Sequence, residues 1–345
     1  MKKYELNSLN KTELHQYIEK LGEKRFRANQ LFEHIHKHKV FKIDDITVFS
    51  KDLRDKIKED AFITDLKVVD VYKSKIDDTH KFLFELHDGQ IIETVFMSYD
   101  DRNTICVSCQ VGCKMGCCFC ASTKAGFKRN LSVAEIISQV YKVEEILNQS
   151  INNIVFMGIG EPLDNYDNMV KSILILNDPQ GKNLSQRSMT LSTSGLADKI
   201  IDLSDLKLSI NLAVSFHYPF DKERSEFMPV NKRFNIQTLL KACDYYFEQT
   251  GRRVSFEYVL VDGLNDTNAH VDRLVELFRG KNIHINLIPL NEISEFNYSA
   301  SKKSSIKQFQ ERLNKRGINT TLRNKKGADI EGACGQLRVN YIGEK

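Results

Sequence analysis

The sequence predicts an α/β fold: a partial barrel of six strand–helix units, preceded by a small helical domain and a linking β-hairpin. Three observations carry this expectation. Short amphipathic helical patterns run to about Ala61, two strand-type runs then flank an Asp-Gly pair, and strand and helix patterns alternate from Cys106 onward. The expected divisions are residues 1–75, 76–100 and 101–345.

In the first division, Thr12 to Leu21, Arg27 to Ile35 and Lys51 to Ile57 place apolar residues at helical spacing. Lys81 to Leu86 and Gln90 to Met97 read as strands, and His87-Asp88-Gly89 between them has the chemistry of a hairpin turn. Ser132-Val-Ala-Glu135 is a capping box, so a helix starts at about Val133 and runs through Ile136, Ile137, Val140 and Val143. Strands follow at Asn153–Met157, Met189–Ser192, Leu208–Ser215, Val254–Val261, Ile283–Pro289 and Ile318–Leu322, with helical patterns such as Asn235–Phe247, Ala269–Phe278 and Ser305–Lys315 between them. That alternation dictates a mainly parallel sheet, and six units fall short of the eight of a closed barrel. A functional site is then expected at the C-terminal ends of the strands.

With 345 residues, 41% of them hydrophobic and only 5 Pro, the chain can bury a large core. No apolar run approaches the roughly 20 residues that span a bilayer, and the basic start Met1-Lys2-Lys3 has no apolar segment behind it. A soluble protein without membrane association is expected. Six of the 8 Cys fall between Cys106 and Cys120, a crowding that suits a metal site in a reducing compartment better than a set of disulfides. The net charge of +4 decides little by itself. Its distribution is more informative, because Glu23 to Lys58 interleaves Lys, Arg and His with aromatic residues. The alternative reading is a solvated helix face.

Cys113, Cys117 and Cys120 have C-x3-C-x2-C spacing. Three thiolates on one short loop can bind three irons of a four-iron cube and leave the fourth open to an outside ligand. Zinc in a non-catalytic RNA-binding module is the competing reading, but no second Cys or Cys/His pair completes four ligands. Cys109, Cys118 and Cys243 receive no role.

This loop, with Phe119 directly before Cys120, resembles the signature of radical S-adenosylmethionine (SAM) enzymes. More extensively, Cys106-Val-Ser-Cys-Gln-Val-Gly-Cys113, Phe119-Cys-Ala-Ser-Thr123, Gly126-Phe-Lys-Arg-Asn-Leu131, Phe156-Met-Gly-Ile-Gly-Glu-Pro-Leu163, Thr190-Leu-Ser-Thr-Ser-Gly195 and Ala333-Cys-Gly-Gln-Leu337 resemble the RlmN/Cfr family of RNA adenine methyltransferases. The resemblance implies a partial (β/α)6 radical SAM barrel, a [4Fe-4S] cluster on Cys113, Cys117 and Cys120, and two SAM molecules per turnover. It also implies 23S ribosomal RNA and transfer RNA as substrates, at adenosine 2503 and adenosine 37. An electron donor such as flavodoxin or ferredoxin, a monomer and a cytoplasmic location complete the expectation.

The chemistry explains why thiols are needed away from the cluster. An adenine C–H carbon is not nucleophilic, so simple displacement from a sulfonium is closed to it. By resemblance, Cys334 takes a methyl group from one SAM, and a 5′-deoxyadenosyl radical from the second removes a hydrogen from that S-methyl. The carbon radical adds to the ring, the ring proton leaves, and Cys106 releases the product by forming a disulfide with Cys334. Glu93 matches the proton acceptor, against the alternative of an outward-facing strand carboxylate. Gly160, Glu161, Ser192, Ser215, Phe216, His217 and Asn291 match the SAM pocket, with Phe216 standing where relatives carry Leu. Gly158-Ile-Gly160-Glu161-Pro162 lacks the third glycine of a dinucleotide fingerprint. Lys124, Lys128 and Arg129 beside the loop suit phosphates. Gly160-Glu-Pro-Leu163 and Ala121-Ser-Thr123 lie nearer the RlmN side, which implies methylation at carbon 2 over the carbon 8 of Cfr-like enzymes.

Overall fold

The computed structural model describes residues 3–293 and 296–338; the Met1-Lys2 start of the sequence and the ends of the expected outer divisions lie outside them. The helical segment opens with β1 (Tyr4–Glu5), then α1 (Lys11–Lys20), α2 (Phe26–His36) and α3 (Lys51–Asp60), and β2 (Ala61–Phe62) pairs with β1 in parallel. Two of the three helices start where the sequence supplies a partner for free N–H groups: Asn10 and Glu13 close a capping box on α1, and Ser50 caps α3. Leu14, Ile18, Leu31, Phe32, Ile35, Leu53 and Ile57 form the buried stripe between them.

Three antiparallel strands follow, β3 (Lys67–Lys73), β4 (Thr79–Glu85) and β5 (Ile91–Ser98), and then β6 (Asn103–Cys106) begins the barrel. A two-strand ribbon, β7 (Gln110–Val111) with β8 (Arg129–Asn130), brackets the cysteine loop. Beyond it run α4 (Val133–Leu147), β9 (Asn153–Phe156), α5 (Tyr166–Asn177), β10 (Met189–Thr193), α6 (Ala197–Asp205), β11 (Asn211–Ser215), α7 (Asp221–Phe227), α8 (Ile236–Thr250), β12 (Val254–Leu260), α9 (Asn268–Phe278), β13 (Ile283–Pro289), α10 (Lys303–Lys315) and β14 (Thr320–Leu322). Strands β6 and β9 to β14 are parallel neighbours in chain order, joined by six helical crossovers. The expected six-unit partial barrel is present.

The hairpin is not a free link between domains. Its β5 pairs with β6, so β3, β4 and β5 extend the barrel into one ten-stranded sheet. Strand β3 was absent from the sequence reading because Val69 and Val71 are exposed and its burial does not alternate. The strand expected from Leu208 starts at Asn211, because the Tyr246 hydroxyl donates to Ile210 O and Ser209 N–H donates to Gln186 Oε1.

The helical segment is docked firmly on the barrel. Asn7 Nδ2 donates to Ser138 Oγ at 3.1 Å, Lys171 reaches Glu13 at 2.6 Å, and the buried Glu144 carboxylate takes both Lys39 at 2.9 Å and Lys182 at 2.5 Å. Docking revises the basic stretch between Glu23 and Lys58. His36 is fully buried against Tyr141, and burial pushes its pKa down to about 3, so it is neutral core. Arg27 and Arg54 donate to backbone carbonyls at Val48 and Asp44, whereas Arg25 and Phe26 remain exposed.

Candidate active site at the mouth of the barrel

The cysteine loop is shaped by its base. Lys128 N–H donates to Val111 O at 2.8 Å, and Gly112 has φ +74°, where a Cβ would fall 1.7 Å from Gly126 O, so only glycine fits beside Cys113. Cys120 N–H turns back to Cys117 O at 3.2 Å. The result brings Cys113, Cys117 and Cys120 together in the lining of one cavity. Among the described residues no three Cys, His, Asp or Glu side chains close on a single ion. The three thiols line that one cavity together. Burial pushes the Cys113 thiol up to about 12, so a thiolate there needs an electropositive partner such as iron. The donor set fits a cluster.

Strand ends supply more of the lining. Gly160, Glu161, Ser192, Ser215, His217 and Asn291 all line the same cavity. Glu161 is locked by N–H groups of Leu163 at 3.0 Å and Ser194 at 2.7 Å. Burial raises its pKa nonetheless, so a bound ammonium would favour the ionised form. Gly160 is required by the protein itself, since a Cβ there would meet Gln110 Cβ at 2.6 Å. His217 accepts from Val259 N–H through Nδ1, and desolvation, with Arg224 nearby, lowers its pKa to about 3; the neutral ring therefore keeps its proton on Nε2 as a donor. Phe216 is the exception. Its ring is fully buried on the helix side, edge-on to Phe256 and Phe278, so only its backbone belongs near the site.

Cys334 also lines this cavity, and with Cys106 it lines a second, adjoining one that contains Arg102, Arg323, Lys325 and Lys326. The C-terminal segment is brought in by its backbone: Ala121 N–H donates to Gly335 O at 2.8 Å, Asn291 Nδ2 to Cys334 O at 3.0 Å and Ser122 Oγ to Leu337 O at 2.8 Å. Cys106 sits opposite Val95 in the sheet, and Glu93, two residues from Val95, shares that face. Glu93 is fully buried, accepts from Arg338 N–H at 2.8 Å and lies 3.3 Å from Lys81. It is not an outward-facing carboxylate. All eight cysteines are free thiols; Cys109 and Cys118 make only weak contacts with Ile159 O and Glu226 O, and Cys243 is core.

Comparison with known proteins places this geometry. Residues 4–63 match the family described as ribosomal RNA large subunit methyltransferase N-terminal domain, and residues 107–278 match the radical SAM superfamily. A relative in Clostridium novyi, named probable dual-specificity RNA methyltransferase RlmN, is 49% identical over 338 residues, covering 97% of this chain and 98% of its own. The chain belongs to the RlmN family of radical SAM methyltransferases. A Finegoldia magna relative of the same name is 47% identical, with 98% of this chain and 97% of its own covered. The crystal structure of a radical SAM methyltransferase from Sphaerobacter thermophilus superposes with a TM-score of 0.93 at 41% identity, covering 97% of this chain and 99% of that one.

Two charged pocket residues, and one buried cation behind the pocket wall, escaped the sequence reading. Glu257 and Arg323 pair at 3.2 Å on the wall of the cavity, and Arg224 lies behind Ser194 and Ser215. For Glu257 a signal existed: it is the lone charge in the apolar run Val254 to Val261. Arg129, read as a phosphate contact, is instead held by Asp88 at 2.7 Å and Glu135 at 2.7 Å, while Lys124, Phe127 and Lys128 stay exposed. No helix among the described residues is long and apolar enough to cross a membrane.

Proposed function

We propose that this enzyme methylates carbon 2 of adenosine 2503 in 23S ribosomal RNA, and adenosine 37 of transfer RNAs, through an S-methyl group on Cys334 and a covalent protein–RNA adduct. The observation that carries the reading is the position of Cys334 where two cavities adjoin, with the cysteine loop in one and Cys106 in the other. The dual-specificity RNA methyltransferase name of the relatives supports RNA as substrate. Residues 1–75 would form the accessory RNA-binding domain, and the exposed Arg25, Phe26, Lys124, Phe127 and Lys128 offer cations and rings to a strand.

Cys113, Cys117 and Cys120 would hold the [4Fe-4S] cluster, and Gly160, Glu161, Ser192, Ser215, His217 and Asn291 would seat SAM. With two SAM per turnover, that assembly supplies a methyl group and a hydrogen-abstracting radical. An electron donor such as flavodoxin or ferredoxin feeds it, and the chain works as a cytoplasmic monomer. The remaining steps belong to the protein. Cys334 presents its carbon to the ring; the radical adduct would return one electron to the [4Fe-4S] assembly and yield its ring proton to Glu93, and Cys106 sulfur, as thiolate, then attacks Cys334 sulfur. The S–S bond forms as the C–S bond breaks, and the electron pair left on the methylene carbon takes up a proton to complete the methyl group.

Mass spectrometry of RNA nucleosides tests the reading, with Cys334→Ala as control. Release of 2-methyladenosine by the wild type alone is expected. 8-Methyladenosine would instead assign a Cfr-like reaction, and absence of methylated adenine would remove both. A second expectation concerns pH. Desolvation raises the Glu93 pKa, and a base works only when ionised, so product release should climb with pH through an inflection above the ordinary carboxylate value of about 4.5. Glu93→Gln should abolish that inflection in single-turnover assays; an unchanged profile would assign the base elsewhere.

A further inference from the structure

Cys334 can serve two cavities only if its thiol is held at their junction, yet it lies on a chain segment without regular helix or strand from Arg323 to the last described residue, apart from one short turn at Ala328–Ile330. The anchors after Cys334 belong to the site already described. Two of those before it do not. Asp329, five residues upstream, accepts from Ser74 Oγ at 2.7 Å through one carboxylate oxygen and from Lys75 N–H at 2.8 Å through the other. Asp77 reciprocates: its Oδ2 accepts from Gly327 N–H at 3.2 Å while its Oδ1 accepts from Thr79 N–H at 3.0 Å.

All these partners lie in the connection between β3 and β4, some 250 residues away in sequence. That connection is itself ordered, because Ser74 is buried and its oxygen takes the N–H groups of Ile76 at 3.1 Å and Asp77 at 3.2 Å. Gly327 seats against it at φ +61°, where a Cβ would fall 2.7 Å from Thr79 Cγ2. Inside the segment, Gly332 N–H returns to Gly327 O at 2.9 Å, so the fastened stretch ends two residues before the thiol. A loop held at both ends has few conformations left for the residue between them.

We infer that the β3–β4 connection is a clasp for the C-terminal segment, with Asp329 and Asp77 as positioning residues that set where the Cys334 thiol sits. This rests on the reading of Cys334 as methyl carrier. The antiparallel extension of the barrel thereby acquires a role, because without β3 the clasp has no base. A displacement of about an ångström in a reacting group costs up to roughly a hundredfold in rate. The clasp touches neither the cysteine loop nor Arg25, Phe26, Lys124, Phe127 and Lys128, so RNA affinity and cluster content should survive its loss.

Asp329→Ala and Ser74→Ala are compared with wild type in the iron-loaded full chain. Amide exchange in residues 327–338 should accelerate, single-turnover methylation should fall about ten- to a hundredfold, and the RNA Kd and iron content should hold within about twofold. Asp329→Asn should recover only part of the rate, since its one carbonyl can accept from Lys75 N–H or from Ser74 Oγ but not from both, and Ser74 Oγ already accepts two N–H groups. Wild-type exchange in both alanine variants overturns the clasp, and faster exchange with an unchanged rate overturns its positioning role. Loss of rate through loss of iron does the same. If Cys334→Ala itself still methylates RNA, the carrier reading fails, whereas the exchange measurement reports on the clasp either way.

Discussion

Cys106→Ala is expected to stop the reaction after the carbon–carbon bond has formed, leaving protein joined to RNA through Cys334. The side chain lost is one sulfur at the end of β6, where Cys106 pairs with Val95 on one side and Val155 on the other, so the backbone ladder is untouched. Burial, and then the neighbouring Cys334, push its thiol up to about 12. A thiol so placed is protonated at rest and does not consume the methylated Cys334 early. It becomes a nucleophile only when a base takes its proton. Release of methylated nucleoside should drop on the order of 10²–10⁴-fold, the usual worth of a positioned proton-transfer group, while a nuclease-sensitive adduct accumulates on denaturing gels. Clean turnover by this variant would mean that another thiol resolves the adduct, and neither Cys109 nor Cys118 lines the cavity that Cys334 shares with Cys106.

What the sequence made legible was local. The capping box at Ser132 and Glu135 is present with both hydrogen bonds, the hairpin turn has Gly89 at φ +78°, and the C-x3-C-x2-C spacing puts three thiols in the lining of one cavity. Each of these features is written within a few consecutive residues. What escaped depends on tertiary neighbours. Strand β3 carries too little buried surface to betray itself, His36 looks cationic until Tyr141 covers it, and Phe216 shares a motif with two pocket residues while the strand's alternation turns it to the other side. Arg129 reads as an RNA contact until Asp88 and Glu135, one before and one after it in the chain, are seen to claim it. Family resemblance supplied roles for Cys106 and Cys334; only the folded chain supplies the segment that holds Cys334 in place.

Arg224→Met is expected to produce the largest loss of stability of any single change near the site. The guanidinium is fully buried, and desolvation brings its pKa down to about 10, so it remains charged at neutral pH. It has no carboxylate partner within ion-pair distance among the described residues. Its charge is spread over carbonyls instead: Ser194 O at 2.7 Å, Ser215 O at 3.0 Å, Phe216 O at 3.2 Å and Asn231 Oδ1 at 2.9 Å. Three of those four acceptors are the C-terminal ends of β10 and β11, where the segments bearing Ser192, Ser215 and His217 leave the sheet. Parallel strands have no ladder partner for carbonyls past their ends, and one planar donor fork serves both exits. Methionine fills much of the volume but donates nothing, so several buried acceptors are stranded together. A cost of about 3–5 kcal/mol in denaturant unfolding follows, since each buried acceptor left without a donor costs about 1–3 kcal/mol and part of that is relieved by relaxation. Arg224→Lys keeps the charge but loses the fork, and should recover only part of it. A loss below about 1 kcal/mol in the methionine variant would show that water reaches these carbonyls and that the strand exits are held by other means.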